Sequence, residues 1–195
     1  MKESRLLILK NSPASETTAA EYIKNGKVVI IPTDTIYGFS ARVPDCAAAV
    51  RRIKGREENK PFIELIAFPE DYMQYSDDRI PDSLLDLWPA PLTLIVRRKE
   101  TLGGGTVALR CPADEWLRKV IEYSESAVYS TSVNRSGSPA LWKINDIIEE
   151  FEKDVPLIVS DGDKKGGVPS TIVDVIGGVT KLVRAGAVDV SFALS

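Results

Sequence analysis

Several short stretches of this chain carry side chains that could grip an anion. They are Thr33-Asp34-Thr35, the loop holding Lys54, Arg56 and Lys60, Arg110, Ser130-Thr131-Ser132-Val133-Asn134, Ser170-Thr171, and Arg184. Taken singly, each is ordinary turn chemistry or a solvated charge. Together they share one pattern: an apolar, strand-like run that ends in hydroxyls or a basic group, stopped by Gly or Pro. Arginine meets a carboxylate or phosphate with two parallel hydrogen bonds. Hydroxyls and backbone N–H groups fill the acceptors that remain. The pattern therefore implies one pocket for a phosphorylated or carboxylated ligand, built where open α/β sheets build ligand sites, at strand ends.

The composition narrows the chemistry. Histidine is absent, which removes Ser-His-Asp and Cys-His catalysis and the common histidine metal sites. Cys46 and Cys111 are far apart and form neither a zinc pattern nor a redox pair; buried reduced thiols are expected. No glycine-rich stretch ends in the GK[ST] of a phosphate-binding loop, and no GxGxxG occurs. The net charge of -3 makes any nucleic-acid binding a matter of a local basic patch. No apolar run is long enough for a membrane span, and the N-terminal apolar run is too short for a signal-peptide core. A cytoplasmic protein with no membrane partner is expected.

The elements that must position these groups read as follows. Strands are expected at Leu6 to Leu9, Val28 to Ile31, Phe39 to Val43, Phe62 to Ala67, Leu92 to Val96, Thr106 to Arg110, Ala127 to Val133 and Leu157 to Val159. Thr171 to Ile176 and Val179 to Arg184 flank Gly177-Gly178 as a hairpin. Ser12-Pro13 opens a helix that Gly26 stops. Asp45 caps a helix whose apolar stripe is Cys46, Ala49, Val50 and Ile53, with Arg51, Arg52 and Lys54 off that stripe. Pro69 to Tyr75 and Pro81 to Leu87 read as short helices. Asp114 caps Glu115 to Tyr123, and Asn145 caps a helix through about Lys153. Asp161 to Gly167 reads as a mobile loop. Strands and helices interleave without a linker or repeat, so residues 1–195 are expected to be a single α/β domain around a twisted mixed sheet flanked by helices.

At this level of detail the chain resembles the YrdC-like threonylcarbamoyl-AMP synthases. The resemblance rests on Pro32-Thr33-Asp34-Thr35-Ile36-Tyr37-Gly38, Lys54-Gly55-Arg56, Lys60-Pro61, Pro89-Ala90-Pro91-Leu92-Thr93 and Ala108-Leu109-Arg110-Cys111-Pro112. It continues through Ser130-Thr131-Ser132-Val133-Asn134-Arg135-Ser136-Gly137, Pro169-Ser170-Thr171-Ile172-Val173-Asp174 and Arg184-Ala185-Gly186-Ala187. These motifs occur in order over nearly the whole chain. The resemblance implies a large concave, positively charged groove. It also implies a reaction: L-threonine, bicarbonate and ATP giving threonylcarbamoyl-AMP and pyrophosphate. The product would feed the transferase machinery that makes threonylcarbamoyladenosine in tRNA, with a tRNA contact open.

By the same resemblance, Thr33, Arg110, Ser130 and Ser170 hold the threonine. Arg56, Lys60, Thr106, Ser132 and Arg184 hold the ATP, with Lys54 and Asn134 on its phosphate side; Lys54 and Arg56 are the expected catalytic cations. No protein metal ligands are expected, so Mg²⁺ rides on the ATP phosphates. The chain departs from relatives near Leu65, where some carry a histidine in the threonine pocket and an apolar contact is expected instead. Glu57 stands where a proline is common, and Ala140 where many have a serine. The extra C-terminal domain of longer relatives is expected to be absent. Two other readings fit the same groove: a non-catalytic module for double-stranded RNA or tRNA, and a relative with a different small phosphorylated ligand. The first predicts steep salt dependence, and an aromatic content of 7% counts against it.

Overall fold

The structure is a computed structural model and describes residues 6–57 and 61–194. Among them, ten strands form one mixed sheet in the order β1-β8-β2-β3-β7-β4-β6-β5-β9-β10. The strands are β1 (Leu6–Leu9), β2 (Val29–Pro32), β3 (Tyr37–Arg42), β4 (Ile63–Leu65), β5 (Leu92–Arg97), β6 (Thr106–Arg110), β7 (Val128–Ser132), β8 (Leu157–Ser160), β9 (Thr171–Asp174) and β10 (Lys181–Arg184). The helices are α1 (Ser15–Lys24), α2 (Ala47–Lys54), α3 (Tyr72–Tyr75), α4 (Asp82–Leu85), α5 (Glu115–Tyr123) and α6 (Ile144–Phe151).

Strand register sorts the side chains into two faces, because residues paired across strands point the same way. One face carries Ile30, Phe39, Tyr129, Leu94, Leu109 and Val173. It is covered by α2 and α6 through Val50, Ile53, Ile147 and Phe151, and by Ile80, Leu84 and Trp88. Phe39 and Phe151 meet edge to face, 4.9 Å between centroids. Glu64 lies on this face and is answered by Arg98 at 2.5 Å, which resolves the carboxylate inside an apolar strand. Burial pushes the Glu64 pKa up, and Arg98 opposes that shift.

The other face is only half covered. α1 and α5 pack over Val29, Ile31, Leu65, Val128 and Val159. Beyond them the same face continues as Gly38, Ser130, Ser132, Ile63, Ala108, Arg110 and Ile172, and this is where the site lies.

Most elements lie where the sequence puts them, and the exceptions have physical reasons. α1 starts at Ser15, not at Ser12-Pro13: Ser12 and Pro13 form the preceding turn, with the Ser15 N–H on Ser12 O at 3.2 Å. α2 begins after Cys46 without a side-chain cap, and Asp45 faces Arg42 at 3.9 Å instead. α6 starts at Ile144, so Asn145 is inside it. Its first N–H is taken by Asp163 Oδ1 at 3.0 Å, a cap supplied from nineteen residues away. The 161–167 stretch, expected to be mobile, is tied down by that cap, by Lys164 N donating to Trp142 O at 2.9 Å, and by Tyr37, whose hydroxyl donates to Gly162 O at 2.7 Å. Lys54, expected on the polar side of its helix, is buried. No helix among the described residues is long and apolar enough to cross a membrane.

Candidate functional site

A cavity of about 350 Å³ opens on the uncovered sheet face. Its wall is made by Thr33, Thr35, Gly38, Ser130, Thr131, Ser132 and Ser170, with Arg56, Arg110 and Arg184 as cations; Ile36, Phe62, Ile63 and Ile172 supply apolar surface. Three guanidiniums and a ring of hydroxyls converge, and none of the described lining residues is a carboxylate. Gly38 keeps the floor open: a Cβ there would stand 3.1 Å from Ser130 Oγ and 3.5 Å from Thr33 Cγ2.

Arg110 ends β6 and is 3% exposed. Its Nη2 lies 3.3 Å from Asp34 Oδ1, and its Nη1 donates to Thr35 Oγ1 at 3.3 Å. Asp34 Oδ2 also accepts the Ala113 N–H at 3.0 Å, so it fastens the turn after β6 to the turn after β2. Burial lowers the Arg110 pKa, Asp34 opposes that shift, and Arg184 adds to it; a guanidinium stays charged regardless. Its Nε is buried without a protein partner.

In the Thr33-Asp34-Thr35 turn the two threonine hydroxyls have different partners. The Thr33 hydroxyl donates to Ile36 O at 2.6 Å and accepts the N–H groups of Thr35 (3.1 Å) and Ile36 (3.2 Å). One proton and two lone pairs are thereby used. The Thr35 hydroxyl, 2.9 Å from that of Thr33, is the one facing Arg110. Spacing alone could not separate the two threonines, because both sit in one turn; only the hydrogen-bond count does.

At the far wall, Arg56 donates to Thr131 Oγ1 at 3.1 Å and to Pro61 O at 2.9 Å, and its guanidinium lies 4.8 Å over the Phe62 ring. Burial, then Arg51, lowers its pKa. Arg184 reaches back from edge strand β10 and donates to Ser170 O at 2.7 Å and Ser170 Oγ at 3.1 Å. The Ser170 hydroxyl also meets Thr93 Oγ1 at 2.8 Å, a buried partner named in the sequence only as part of a motif. Gly186 permits this corner, since a Cβ there would fall 2.4 Å from Pro169 O.

The structure thus brings Thr33, Arg110, Ser130, Ser170, Arg56, Ser132 and Arg184 to one cavity. It does not bring Lys54, Asn134 or Thr106 to the lining. Lys54 and Asn134 lie behind the wall, bonded to each other. Thr106 is exposed on the same face as Arg110 but at the opposite end of β6, roughly 13 Å along the strand. Lys60 lies outside the described residues. Leu65 is itself packed under α1 and α5, and the apolar side chain near it that lines the cavity is Ile63. Ala140 does line the cavity. Among the described residues no group of three or more acidic or thiol side chains is placed to hold a metal ion.

A mixed α/β sheet here carries a guanidinium- and hydroxyl-lined cavity at its strand ends, chemistry suited to an anionic ligand. The family model Sua5/YciO/YrdC, described as telomere recombination, matches residues 21–186, and the chain belongs to this family. It is 36% identical over 181 residues to a threonylcarbamoyl-AMP synthase of Pyrococcus abyssi, covering 86% of this chain and 53% of that protein. It is 30% identical to a threonylcarbamoyl-AMP synthase of Rattus norvegicus, covering 94% of this chain and 75% of that one. The crystal structure of P. abyssi Sua5 complexed with L-threonine superposes with a TM-score of 0.84 at 31% identity, covering 96% of this chain and 59% of the other. The chain thus spans about half the length of the archaeal relative it matches.

Proposed function

We propose that this chain is a threonylcarbamoyl-AMP synthase, a nucleotidyltransferase that joins L-threonine, bicarbonate and ATP with release of pyrophosphate. The observation that carries the reading is the convergence of Arg56, Arg110 and Arg184 with Thr35, Ser130 and Ser170 on one cavity. It is supported by the synthase names of the relatives and by the threonine in the P. abyssi structure.

In this reading the threonine carboxylate lies against Arg110 and the Thr35 hydroxyl, near Ser130 and Ser170. Thr33 shapes the turn that presents them. The triphosphate lies toward Arg56, Ser132 and Arg184. The same sheet face continues past Ala108 to the exposed Thr106, and the rest of the nucleotide would extend in that direction. The threonine amine condenses with bicarbonate, forming a carbamate and releasing water. A carbamate oxygen then attacks the α-phosphorus, and the bond to the pyrophosphate oxygen breaks.

The substrate supplies its own nucleophile, so no histidine or serine has to act as one. The protein's part is alignment and neutralisation of charge on the leaving pyrophosphate. The lining offers guanidiniums and hydroxyls rather than carboxylates, which does not suit a protein-held Mg²⁺; the ion enters as part of the MgATP substrate. The product, a mixed anhydride, is consumed by a transferase that modifies tRNA, which sets the enzyme in the cytoplasm. The test is pyrophosphate release from ATP. Release should need threonine and bicarbonate together, and hydrolysis indifferent to threonine sinks the reading.

A further inference from the structure

Lys54 and Arg56 are two residues apart and face opposite ways, because Gly55 between them adopts φ 63° and ends α2. Arg56 lines the cavity. Lys54 is 3% exposed, with its ammonium 5.4 Å over the Phe39 ring. An ammonium has three N–H donors, and here each has a protein acceptor: Ser132 O, Asn134 O at 3.1 Å and Asn134 Oδ1 at 2.9 Å. Asn134 is spent as well. Its Oδ1 also accepts the Ser132 hydroxyl at 2.5 Å, and its Nδ2 donates to Arg135 O at 2.8 Å and Ser138 O at 2.7 Å.

The last carbonyls of α2 are committed to the same turn. Arg135 Nη1 donates to Ile53 O at 2.6 Å, and Ser136 N donates to Lys54 O at 2.7 Å. Arg135 is in turn fixed to α6 by Glu150 at 2.7 Å and to the turn after it by Asp154 at 2.8 Å. For Lys54 to reach a phosphate it would have to abandon the Ser132 and Asn134 carbonyls and one of the two donors to the Asn134 amide oxygen, at the cost of three charge-assisted hydrogen bonds.

We infer that Lys54 and Asn134 are positioning residues: they hold the Ser132–Ser138 turn against α2 and act on a nucleotide through that turn, not by touching its phosphates. Among the described residues the phosphate charge then falls to Arg56 and Arg184. The inference rests on the nucleotide site proposed above. It separates two roles that the sequence leaves merged in one Lys-Gly-Arg stretch. A cation touching phosphate should matter more as phosphates are added. A residue that shapes the wall should matter equally for every nucleotide.

The experiment compares Lys54→Met and Arg56→Met by calorimetry with AMP, ADP and ATP, and measures amide hydrogen exchange in the unliganded proteins. For Lys54→Met the expected loss is the same for all three nucleotides, roughly tenfold. For Arg56→Met it should climb from AMP to ATP. Exchange at Ser136 should accelerate in Lys54→Met while the amides of β3 stay protected, which also shows that the variant is folded. A Lys54→Met loss that climbs with phosphate number overturns the inference, and so does unchanged Ser136 exchange. If the wild type binds no nucleotide, the synthase reading fails, and the exchange at Ser136 still decides whether Lys54 positions the turn.

Discussion

The carboxylate of Asp34 lies 3.3 Å from the guanidinium of Arg110 and joins the ends of β2 and β6, strands separated by three others in the sheet. A buried guanidinium needs both a counter-charge and a fixed direction; Asp34 supplies the charge and the Thr35 hydroxyl accepts its hydrogen bond. The second oxygen of Asp34, on Ala113 N, keeps the carboxylate itself from turning. Asp34→Asn retains an acceptor for Ala113 and removes the charge, leaving Arg110 without its ionic partner. Unfolding in urea should show a loss of about 1–3 kcal/mol. An unchanged midpoint would mean that the pair contributes no more than a surface contact.

Arg110→Lys tests the ligand side of the same group. Lysine offers a point charge where arginine offers two parallel donors. Threonine affinity should fall by about 1.5–3 kcal/mol, the range for hydrogen bonds to charged groups, with nucleotide affinity nearly intact. Calorimetry with each ligand separates the cases. Equal losses for both would indicate a displaced sheet end, and no loss for either would remove Arg110 from the carboxylate seat.

Thr33 and Thr35 should respond in opposite ways to the same replacement. Thr33→Val strips from the turn the hydrogen bonds to Ile36 and to the N–H and hydroxyl of Thr35, so stability should fall by about 1–3 kcal/mol. Thr35→Val removes the hydroxyl that faces Arg110; threonine affinity should fall while the melting temperature holds. Paired melting and binding curves decide it. The reverse assignment, with Thr33→Val stable but blind to threonine, would restore the motif-level expectation.

Gly186 offers a test by volume alone. A methyl group there would meet Pro169 O and Thr171 N at 2.4 Å and Ser170 C at 2.5 Å, all backbone atoms that cannot swing away. Gly186→Ala should therefore push the 185–187 segment after β10 off Ser170 and slacken the Arg184–Ser170 contacts. The expected cost is about 1–3 kcal/mol of stability, with weaker binding of both ligands. Wild-type melting would show that this corner yields more easily than its packing implies.

The sequence states some of this architecture openly and hides the rest for identifiable reasons. Thr106–Arg110 is a strand because its apolar alternation ends at Pro112, and α5 starts where Asp114 accepts the Leu117 N–H at 3.0 Å. Both signals are local, so both are readable. The start of α6 is not, because its cap is Asp163, contributed through tertiary folding. Two of the cavity's cations, Arg110 and Arg184, were legible as strand-end arginines, and Arg56 as part of a charged loop after a helix. The inward turn of Lys54 was not, because helix periodicity assigns a lysine to solvent unless buried carbonyls are waiting for it, and those belong to residues about eighty positions later. Thr93 was hidden likewise, since its role depends on the Ser170 hydroxyl across the β5–β9 pairing.

The pH response should show Lys54 acting on stability and on binding with opposite signs. Burial, then the neighbouring Arg56, brings its pKa down from 10.5 to about 8. Between about pH 8 and 10.5 the unfolded chain holds a proton there that the folded chain has released, so this residue's contribution to stability rises with pH across that window. Below the window the contribution is constant, as a penalty on the order of 3 kcal/mol at most. The ammonium form, however, is the one with three donors for Ser132 and Asn134; the neutral amine has two. Nucleotide affinity should therefore decline as pH passes about 8, while stability does not fall on account of Lys54. Cys111 is pushed up to about 12 by burial and is silent in this window. Nucleotide affinity and urea unfolding measured in parallel from about pH 7 to about pH 10 give the comparison. In Lys54→Met the affinity should be lower throughout and lose its inflection. An inflection that survives in Lys54→Met belongs to another group, and a wild-type affinity flat through pH 8 would show that the turn does not depend on the charge of Lys54.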